Sequence, residues 1–287
     1  MKKRYLFENI VRLIFTLCGF LSVAFVIVIT VFLTVSGLPA IKEIGFFRFM
    51  FGMVWSPTSS DPKYGILAFI LTSFAGTFGA ILLGVPIGIL CAAYIAKCAP
   101  KGIKKVLVSS VELLSGIPSV IYGLIGMIAI VPAVRNIFGL PDGANLFSAI
   151  IVLTVMILPS VISVSQTAIS AVPKEYEEGS LALGATKTET LFKITLPAAK
   201  SGILTAVVLG IGRSIGEAMA VMMVSGNVPN MPKLFGSVRF LTTAVASEMS
   251  YSSGLQRKAL FSIALVLFIF ILIINCILNF VVKRKDK

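Results

Sequence analysis

Long apolar runs without charged residues alternate with short polar segments along most of this chain. Six runs can be traced: Leu13–Val35, Ile66–Ala96, Val106–Val134, Leu146–Ala171, Ser201–Ser225 and Ala259–Val282. The third run contains one charged residue and the fifth contains two; the other four contain none. An α-helix rises about 1.5 Å per residue, so about 20 apolar residues cross a hydrocarbon core of about 30 Å. The pattern predicts an all-α membrane protein with six transmembrane helices.

Composition supports this interpretation. Of the 287 residues, 57% are hydrophobic and 13% are charged. A soluble domain of this length needs more polar residues to cover its surface, so a cytosolic enzyme is excluded. Histidine is absent, which removes His-based catalytic triads and His zinc sites because each requires an imidazole. No enzymatic activity and no metal site are expected.

Basic residues are distributed unevenly among the connecting segments. The chain has 25 Lys and Arg against 12 Asp and Glu, a formal net charge of +13. Four basic residues precede or begin the first run, four follow the second, four follow the fourth and four end the chain; eight lie on the opposite side. By the positive-inside rule, both termini are expected to be cytoplasmic. The basic excess then reflects topology, and no nucleic-acid partner is expected.

These observations divide the chain into segments. Residues 1–12 and 283–287 are expected to be cytoplasmic tails, 13–65 a first transmembrane helix with its outer loop, and 66–282 the main transmembrane domain. The outer loop contains an aromatic cluster interpreted as an interfacial anchor, with a docking surface as the alternative: Phe46, Phe47, Phe49, Phe51 and Trp55. Four cysteines without a C-x-x-C pair are interpreted as buried small hydrophobic residues: Cys18, Cys91, Cys98 and Cys276.

Glycine and proline interrupt three of the apolar runs. The interruptions are Gly84-Val-Pro-Ile-Gly88, Gly116-Ile-Pro-Ser-Val-Ile-Tyr-Gly123 and Leu158-Pro159. Proline removes a hydrogen bond of the helical ladder, and the freed carbonyl needs another partner inside the membrane. Such breaks are frequent along transport pathways and also occur in inert helix bundles.

The segment 171–200 is a polar loop between two apolar runs on the expected cytoplasmic side. It contains eight charged residues: Lys174, Glu175, Glu177, Glu178, Lys187, Glu189, Lys193 and Lys200. Helix-forming residues flank Gly184, which is suited to a left-handed position at a helix end. We expect two short helices with an elbow at Gly184, on a surface that faces the cytosol or a soluble partner.

This loop resembles the EAA signature of ABC importer permeases, E-A-A-x3-G-x9-I-x-L-P. The matching residues are Glu178, Gly179, Ser180, Gly184, Ile194, Leu196 and Pro197, with Gly179 and Ser180 in place of the two alanines. The resemblance implies the ABC importer type I permease fold and a coupling helix that seats in a groove on a separate ATPase. The chain lacks the phosphate-binding motif G-x-x-x-x-G-K-[ST], so no cofactor is expected on it, and ATP and Mg are expected on the ATPase.

Further stretches are similar to the PstC-type permeases of phosphate-specific importers. They are Gly116–Gly123, Gly212–Val221, Ser237–Thr243 and Lys258–Phe261. The resemblance implies a heterodimer with a PstA-like permease, a PstB-like ATPase dimer and a PstS-like phosphate-binding protein, in a bacterial or archaeal cytoplasmic membrane. The function implied is ATP-driven import of inorganic phosphate.

Arg213 and Glu217 are ionisable residues well inside the fifth run. Their spacing of four places them on one helix face, where they can pair. A charge at membrane depth costs at least a few kcal/mol and indicates a functional site by default. Arg213 is expected to attract the anion and Glu217 to accept a hydrogen bond from hydrogen phosphate; a purely structural ion pair is the alternative. Gly212 and Gly216, on the same segment, are interpreted as a helix-packing pair.

Two other functions remain open at this point. A permease for another oxyanion, such as molybdate or sulfate, would share the loop motif. A secondary transporter or channel predicts inverted repeats and no such loop, and the match at 171–200 argues against it.

Overall fold

The computed structural model describes the backbone of residues 2–285 and, within that range, the side chains of residues 8–277 and 280. The described residues are mostly helical, with one small hairpin. The elements are α1 (Lys2–Ile44), α2 (Phe46–Phe51), β1 (Trp55–Ser56), β2 (Lys63–Tyr64), α3 (Leu67–Ala93), α4 (Lys101–Gly116), α5 (Ser119–Ile125), α6 (Val131–Phe138), α7 (Leu146–Ser170), α8 (Lys174–Ala182), α9 (Lys187–Thr190), α10 (Leu196–Ala198), α11 (Lys200–Gly216), α12 (Met219–Val224), α13 (Leu241–Glu248) and α14 (Gly254–Lys285). Three π-helical turns extend or join helices: Tyr94–Cys98, Gly126–Ile130 and Leu191–Thr195.

Five helical stretches of the described chain are long and apolar enough to cross a bilayer. They are Glu8–Ile44, Leu67–Cys98, Ser119–Phe138, Leu146–Ser170 and Gly254–Ile277. A sixth crossing is formed when the bent pair Lys187–Ala198 and Lys200–Gly216, with 70° between its halves, counts as one span. The predicted helical, multi-span architecture is therefore confirmed, with five spans, or six when the bent pair is counted. Helix α1 begins at Lys2, inside the expected tail 1–12, while residues 286 and 287 of the other expected tail lie outside the described residues.

The third apolar run does not form the continuous span that was expected at Val106–Val134. Helix α4 ends at Gly116, Ile117 is extended (φ −71°, ψ 127°), and the span starts afresh at Ser119. Pro118 explains the break, because its ring disfavours helical backbone at the preceding residue and it has no N–H to donate.

The fifth run is also broken, here without a proline. Helix α11 ends at Gly216 and α12 starts at Met219, so the predicted span Ser201–Ser225 consists of two helices. The partners that stabilise this break come from other elements and are described with the candidate site.

The centre of the molecule is the contact between α3 and α7. Modelling a Cβ on Gly84 or Gly88 would bring it to 2.7 Å from the side chains of Ile157 and Val161, respectively. The missing side chains let the two helices approach closely, as small residues do in membrane helix pairs. The apolar core around this pair also includes α5 and α12.

One end of the helix bundle, called the outer end here, is closed by α2, the hairpin and α13; the end that packs against the loop 171–200 is called the inner end. Strand β1 pairs antiparallel with β2, placing Trp55 opposite Tyr64. The aromatic cluster divides: Phe49 and Trp55 are buried in the core, while Phe46, Phe47 and Phe51 are exposed. Trp55 Nε1 donates to the Glu248 carboxylate at 3.2 Å, and Glu248 also forms an ion pair with Arg239. Two of the five aromatic residues therefore belong to the core, and the other three are exposed.

The surface of the spans is apolar, as contact with lipid requires. Most of the side chains of Leu13–Val35 in α1 are exposed, and α1 contacts α14 near its outer end, where Ser262 donates to the Gly37 carbonyl at 2.6 Å. The four cysteines are also exposed, so the expectation that they are buried is wrong. A thiol is small and weakly polar, and a lipid-facing position costs it little.

The contact between α5 and α12 yields a stability prediction. A Cβ on Gly123 would lie 2.7 Å from the Ala220 Cα, a backbone atom that cannot rotate away. Gly123→Ala is expected to cost about 1–3 kcal/mol, the usual range for overpacking, and to lower the Tm of the purified protein in detergent. Gly116→Ala is the control, because a Cβ there meets no described atom within 4 Å. Equal Tm values for the two variants would contradict this packing.

Candidate functional site

The break between α11 and α12 places Arg213 and Glu217 on different structural elements. Arg213 lies in the last turn of α11, whereas Glu217 follows the helix with extended backbone (φ −73°, ψ 128°). No ion pair joins the two among the described residues, whose ion pairs lie elsewhere. The expectation that they share one helix face and can pair is therefore wrong, because spacing of four implies a shared face only in a continuous helix.

Glu217 has a backbone role in this break. Its carbonyl accepts a hydrogen bond from the Thr242 hydroxyl at 2.7 Å, and its carboxylate Oε1 accepts from the Ala220 backbone N–H at 3.0 Å. The side chain thus satisfies a donor at the start of α12, where a helix leaves its first N–H groups without partners. A negative charge at this position is also favoured by the helix dipole.

Arg213 is bonded to α7. Its Nη1 donates to the Ser160 hydroxyl at 3.1 Å, the one side-chain hydrogen bond that the described residues give it. Ser160 follows Pro159, which lies inside α7. A guanidinium has five N–H donors, so this contact leaves most of them available. Arg213 is half-buried and no carboxylate of the described residues lies within ion-pair distance of it.

Gly212 and Gly216 leave open space beside this arginine. A Cβ on either glycine would meet no described atom within 4 Å, so neither packs against another helix of this chain, and the interpretation as a helix-packing pair stays a prediction. Gly210, one turn earlier, does pack, facing Val161 of α7. The open face of α11 is therefore the one that bears Gly212 and Gly216.

The loop 171–200 has the predicted form of two short helices with an elbow. Gly184 has a left-handed backbone (φ +87°) directly after α8. Its N–H donates to the Leu181 carbonyl at 2.9 Å, and the Ala185 N–H donates to the Ser180 carbonyl at 3.2 Å. These two bonds form a Schellman motif, which ends a helix on a left-handed residue.

Helix α9 is started by a capping box. The Thr186 hydroxyl accepts from the Glu189 backbone N–H, while the Glu189 carboxylate accepts from the Thr186 backbone N–H. The backbone bond from Thr186, its hydroxyl and nearby Lys193 together lower the pKa of Glu189. The cap is thus complete above the usual carboxyl range and is lost as pH falls through the lowered pKa.

The motif residues of the loop do not all face outward. Glu178, Gly179, Gly184, Ile194 and Pro197 are exposed, whereas Ser180 and Leu196 are partly buried. The Ser180 hydroxyl is 3.0 Å from that of Thr190 and so links α8 to α9. Leu196 packs against the core at the inner end of α3, α7 and α11.

Sequence reasoning missed several residues of this region. Tyr176, Leu183 and Phe192 are exposed apolar side chains on the loop, Leu183 at 91%. Their signal was available, since apolar residues within a charged, surface-exposed segment indicate a contact surface. Lys97, at the inner end of the second span, forms an ion pair with Glu177, and no local pattern signals that contact.

Comparison with known proteins places this fold and loop in a class. The family model described as "Binding-protein-dependent transport system inner membrane component" matches residues 84–287. The chain belongs to this family of ABC importer permeases. It is a multi-pass membrane protein. Members of the family are permease subunits without catalytic activity of their own. Membership implies an ATPase and a substrate-binding protein as partners.

Individual relatives refine the class. The probable ABC transporter permease protein YqgH of Bacillus subtilis is 42% identical over 273 residues, covering 92% of this chain and 88% of the relative. The phosphate transport system permease protein PstC of Pasteurella multocida is 31% identical over 261 residues, covering 84% of this chain and 81% of the relative. The PstC protein of Haemophilus influenzae is similar to the same extent, at 31% over 261 residues. The chain is thus of the PstC type.

Solved structures agree with the fold. A chain of the methionine ABC transporter MetNI in an inward-facing conformation superposes with a TM-score of 0.57 at 21% identity, covering 77% of this chain and 94% of that one. A chain of a bacterial alginate ABC importer gives a TM-score of 0.59 at 17% identity, covering 87% and 94%. At such identities the likeness concerns the fold alone.

The capping role of Glu217 leads to a prediction. Glu217→Ala removes the acceptor for the Ala220 N–H and is expected to destabilise the protein by about 1 kcal/mol, as the loss of a helix cap does. Glu217→Gln keeps a side-chain oxygen and is expected to retain most of that stability. Thermal unfolding of both variants in detergent measures the difference. An equal loss of stability in the two would show that the charge matters and the cap does not.

Proposed function

We propose that this chain is the permease subunit of an ATP-driven importer that moves inorganic phosphate across the cytoplasmic membrane, with both termini cytoplasmic. The observation that carries the proposal is the state of Arg213: a guanidinium at membrane depth, bonded to Ser160 and without a carboxylate at ion-pair distance among the described residues. A charge in this position costs at least a few kcal/mol and is retained where it serves a polar ligand. Similarity to PstC proteins supports phosphate as that ligand.

Arginine suits this anion. Its planar fork matches phosphate oxygens with two parallel hydrogen bonds, and it is more weakly hydrated than an ammonium group. The Ser160 hydroxyl orients the guanidinium while leaving other N–H groups for the anion. Because no ion pair joins Glu217 to Arg213, an arriving anion does not have to displace a carboxylate from the guanidinium.

Glu217 adds selectivity in this proposal. Its Oε1 is occupied by the Ala220 N–H, and Oε2 has no partner among the described residues. A carboxylate oxygen accepts a hydrogen bond from the protonated oxygen of hydrogen phosphate. Sulfate is fully ionised at neutral pH and has no such proton to donate. The carboxylate therefore favours phosphate and repels sulfate.

The loop 171–200 supplies the contact with the ATPase. The exposed side of the elbow, with Glu178, Gly184 and the almost fully exposed Leu183, fits a groove on a PstB-like ATPase dimer that binds ATP and Mg. An apolar side chain of this kind needs a partner surface to leave water. The complete assembly also contains a PstA-like second permease and a PstS-like phosphate-binding protein, with membrane lipid around the spans and no nucleic acid.

The anion pathway predicts the behaviour of Arg213 variants. Arg213→Ala is expected to reduce phosphate uptake, normalised to membrane-inserted protein, by about tenfold or more, the order of a lost charged hydrogen bond. Arg213→Lys keeps the charge without the fork and is expected to be intermediate. Glu217→Gln is expected to admit more sulfate relative to phosphate. Restoration of uptake by the double swap Arg213→Glu with Glu217→Arg would contradict the proposal, since it would indicate a simple ion pair.

The ATPase contact predicts the behaviour of loop variants. Gly184→Trp adds bulk at the elbow and is expected to abolish both co-purification of the ATPase and uptake. Gly184→Ala is the matched control, since it introduces similar strain at positive φ, about 1–2 kcal/mol, with little bulk. Glu178→Lys is expected to abolish uptake while the permease stays inserted. Unchanged uptake with Gly184→Trp would remove the loop from the ATPase interface.

A further inference from the structure

We infer that Lys97 and Glu177 are positioning residues that transmit movement of the loop 171–200 to the second transmembrane span. The inference rests on the proposed function, because it assumes that the loop is moved by the ATPase. It concerns the inner face of the loop, whereas ATPase docking concerns its exposed face.

Glu177 joins three parts of the structure. Its carboxylate forms an ion pair with Lys97 at the inner end of the second span, and Oε1 also accepts a hydrogen bond from the Thr195 hydroxyl at 3.4 Å. The two charged side chains are 20% and 25% exposed, so the pair is largely shielded from water. Such a pair is stronger than a fully exposed one, because bulk solvent screens it less.

Helix α8 is held on its inner side by polar contacts, including the Ser180–Thr190 pair, rather than by buried apolar side chains. None of its residues is buried. A cleft of about 420 Å³ opens beside it, lined by Lys97, Glu177, Leu181, Lys187 and Thr190 among others. The ion pair therefore bridges a space that is not filled by packed side chains. Movement of α8 reaches the second span through this bridge, while the open cleft gives the loop room to move.

The two partners of the Glu177 carboxylate, Lys97 and Thr195, both lie on π-helical turns. Lys97 lies in the turn Tyr94–Cys98 and Thr195 in the turn Leu191–Thr195. The first turn is wide, with the Ala99 N–H donating to the Tyr94 carbonyl at 2.8 Å, and Ile95 in it is buried in the inner core. π-Helical turns are rare in proteins, and those that do occur are often found at functional sites. The turn that carries Lys97 is thus anchored in the core by Ile95, whereas Glu177 lies on a helix with no buried residue.

The second span leads from Lys97 to the candidate anion site. Helix α3 packs closely on α7 where Gly84 and Gly88 face Ile157 and Val161. Helix α7 carries Ser160, which accepts the hydrogen bond from Arg213. A displacement of Lys97 along α3 is therefore passed to the helix that orients the guanidinium. Without the bridge, the loop would still act on α7 and α11, to which it is joined in the chain, but α8 would lose its ion pair with the end of the second span.

The test uses the complete transporter in lipid, with ATP hydrolysis measured with and without binding protein loaded with inorganic phosphate. The variants are Lys97→Gln, Glu177→Gln and the swap Lys97→Glu with Glu177→Lys. Each single variant is expected to lower the stimulation of ATP hydrolysis by about fivefold or more, the lower range of measured coupling between sites. Co-purification of the ATPase and the Tm of the complex are expected to stay unchanged, and the swap is expected to restore stimulation. Lys105→Gln, an exposed lysine on α4, is the matched control.

Three outcomes would overturn the inference. Full stimulation in the single variants would show that the bridge transmits nothing. Loss of stimulation without restoration by the swap would show that the two side chains act separately. Loss of the ATPase from the purified complex would make Glu177 a docking residue. A failure of the unmodified permease to bind the ATPase would instead contradict the proposed function, whatever the variants do.

Discussion

Backbone N–H and C=O groups inside a bilayer find no water, so each must be bonded within the protein. Most of this chain meets that condition with continuous helices, but the break between α11 and α12 frees backbone groups at depth. The Thr242 hydroxyl and the Glu217 carboxylate satisfy two of them, a carbonyl and an N–H. This requirement decides where Glu217 points. It directs one carboxylate oxygen to the Ala220 N–H of α12, and no carboxylate of the described residues forms an ion pair with Arg213.

Placing an arginine without a counter-charge at membrane depth costs free energy, and such residues usually mark a functional site. The same helix is open at Gly212 and Gly216, where an added Cβ would meet no described atom within 4 Å. Ser160 holds the guanidinium with a neutral partner, which an arriving anion can supplement without breaking an ion pair. The breaks at Pro118 and Glu217 lie on segments that meet where Gly123 of α5 contacts Ala220 of α12. The interrupted helices, the half-buried Arg213 and the small-residue contact thus lie in one region.

The loop 171–200 separates two functions between its two faces. Its exposed face carries Glu178 and Leu183, which are available to a partner protein. Its inner face carries Glu177 and Ser180, which connect α8 to Lys97 and to Thr190. Adjacent glutamates therefore have opposite roles, because successive residues on a helix point about 100° apart. Family membership supports the outer role, while the inner role follows from the contacts in this chain alone.

Features that depend on local properties were determined by the sequence. Apolar runs indicate spans because hydropathy is a sum over neighbours, and six spans were predicted correctly when the bent segment is counted. The elbow at Gly184 was also predicted, since left-handed backbone suits glycine wherever it occurs.

Features that depend on partners distant in sequence were decided by the tertiary structure. Arg213 bonds a serine 53 positions away, and Thr242 helps to break a helix that no proline interrupts. Phe49 and Trp55 are core residues because α13 and α14 cover them, which no local pattern records. The inward orientation of Glu177 likewise follows from the position of Lys97 at the end of another span. Periodicity specifies the face on which a side chain lies, and only the packed neighbours specify what that face meets.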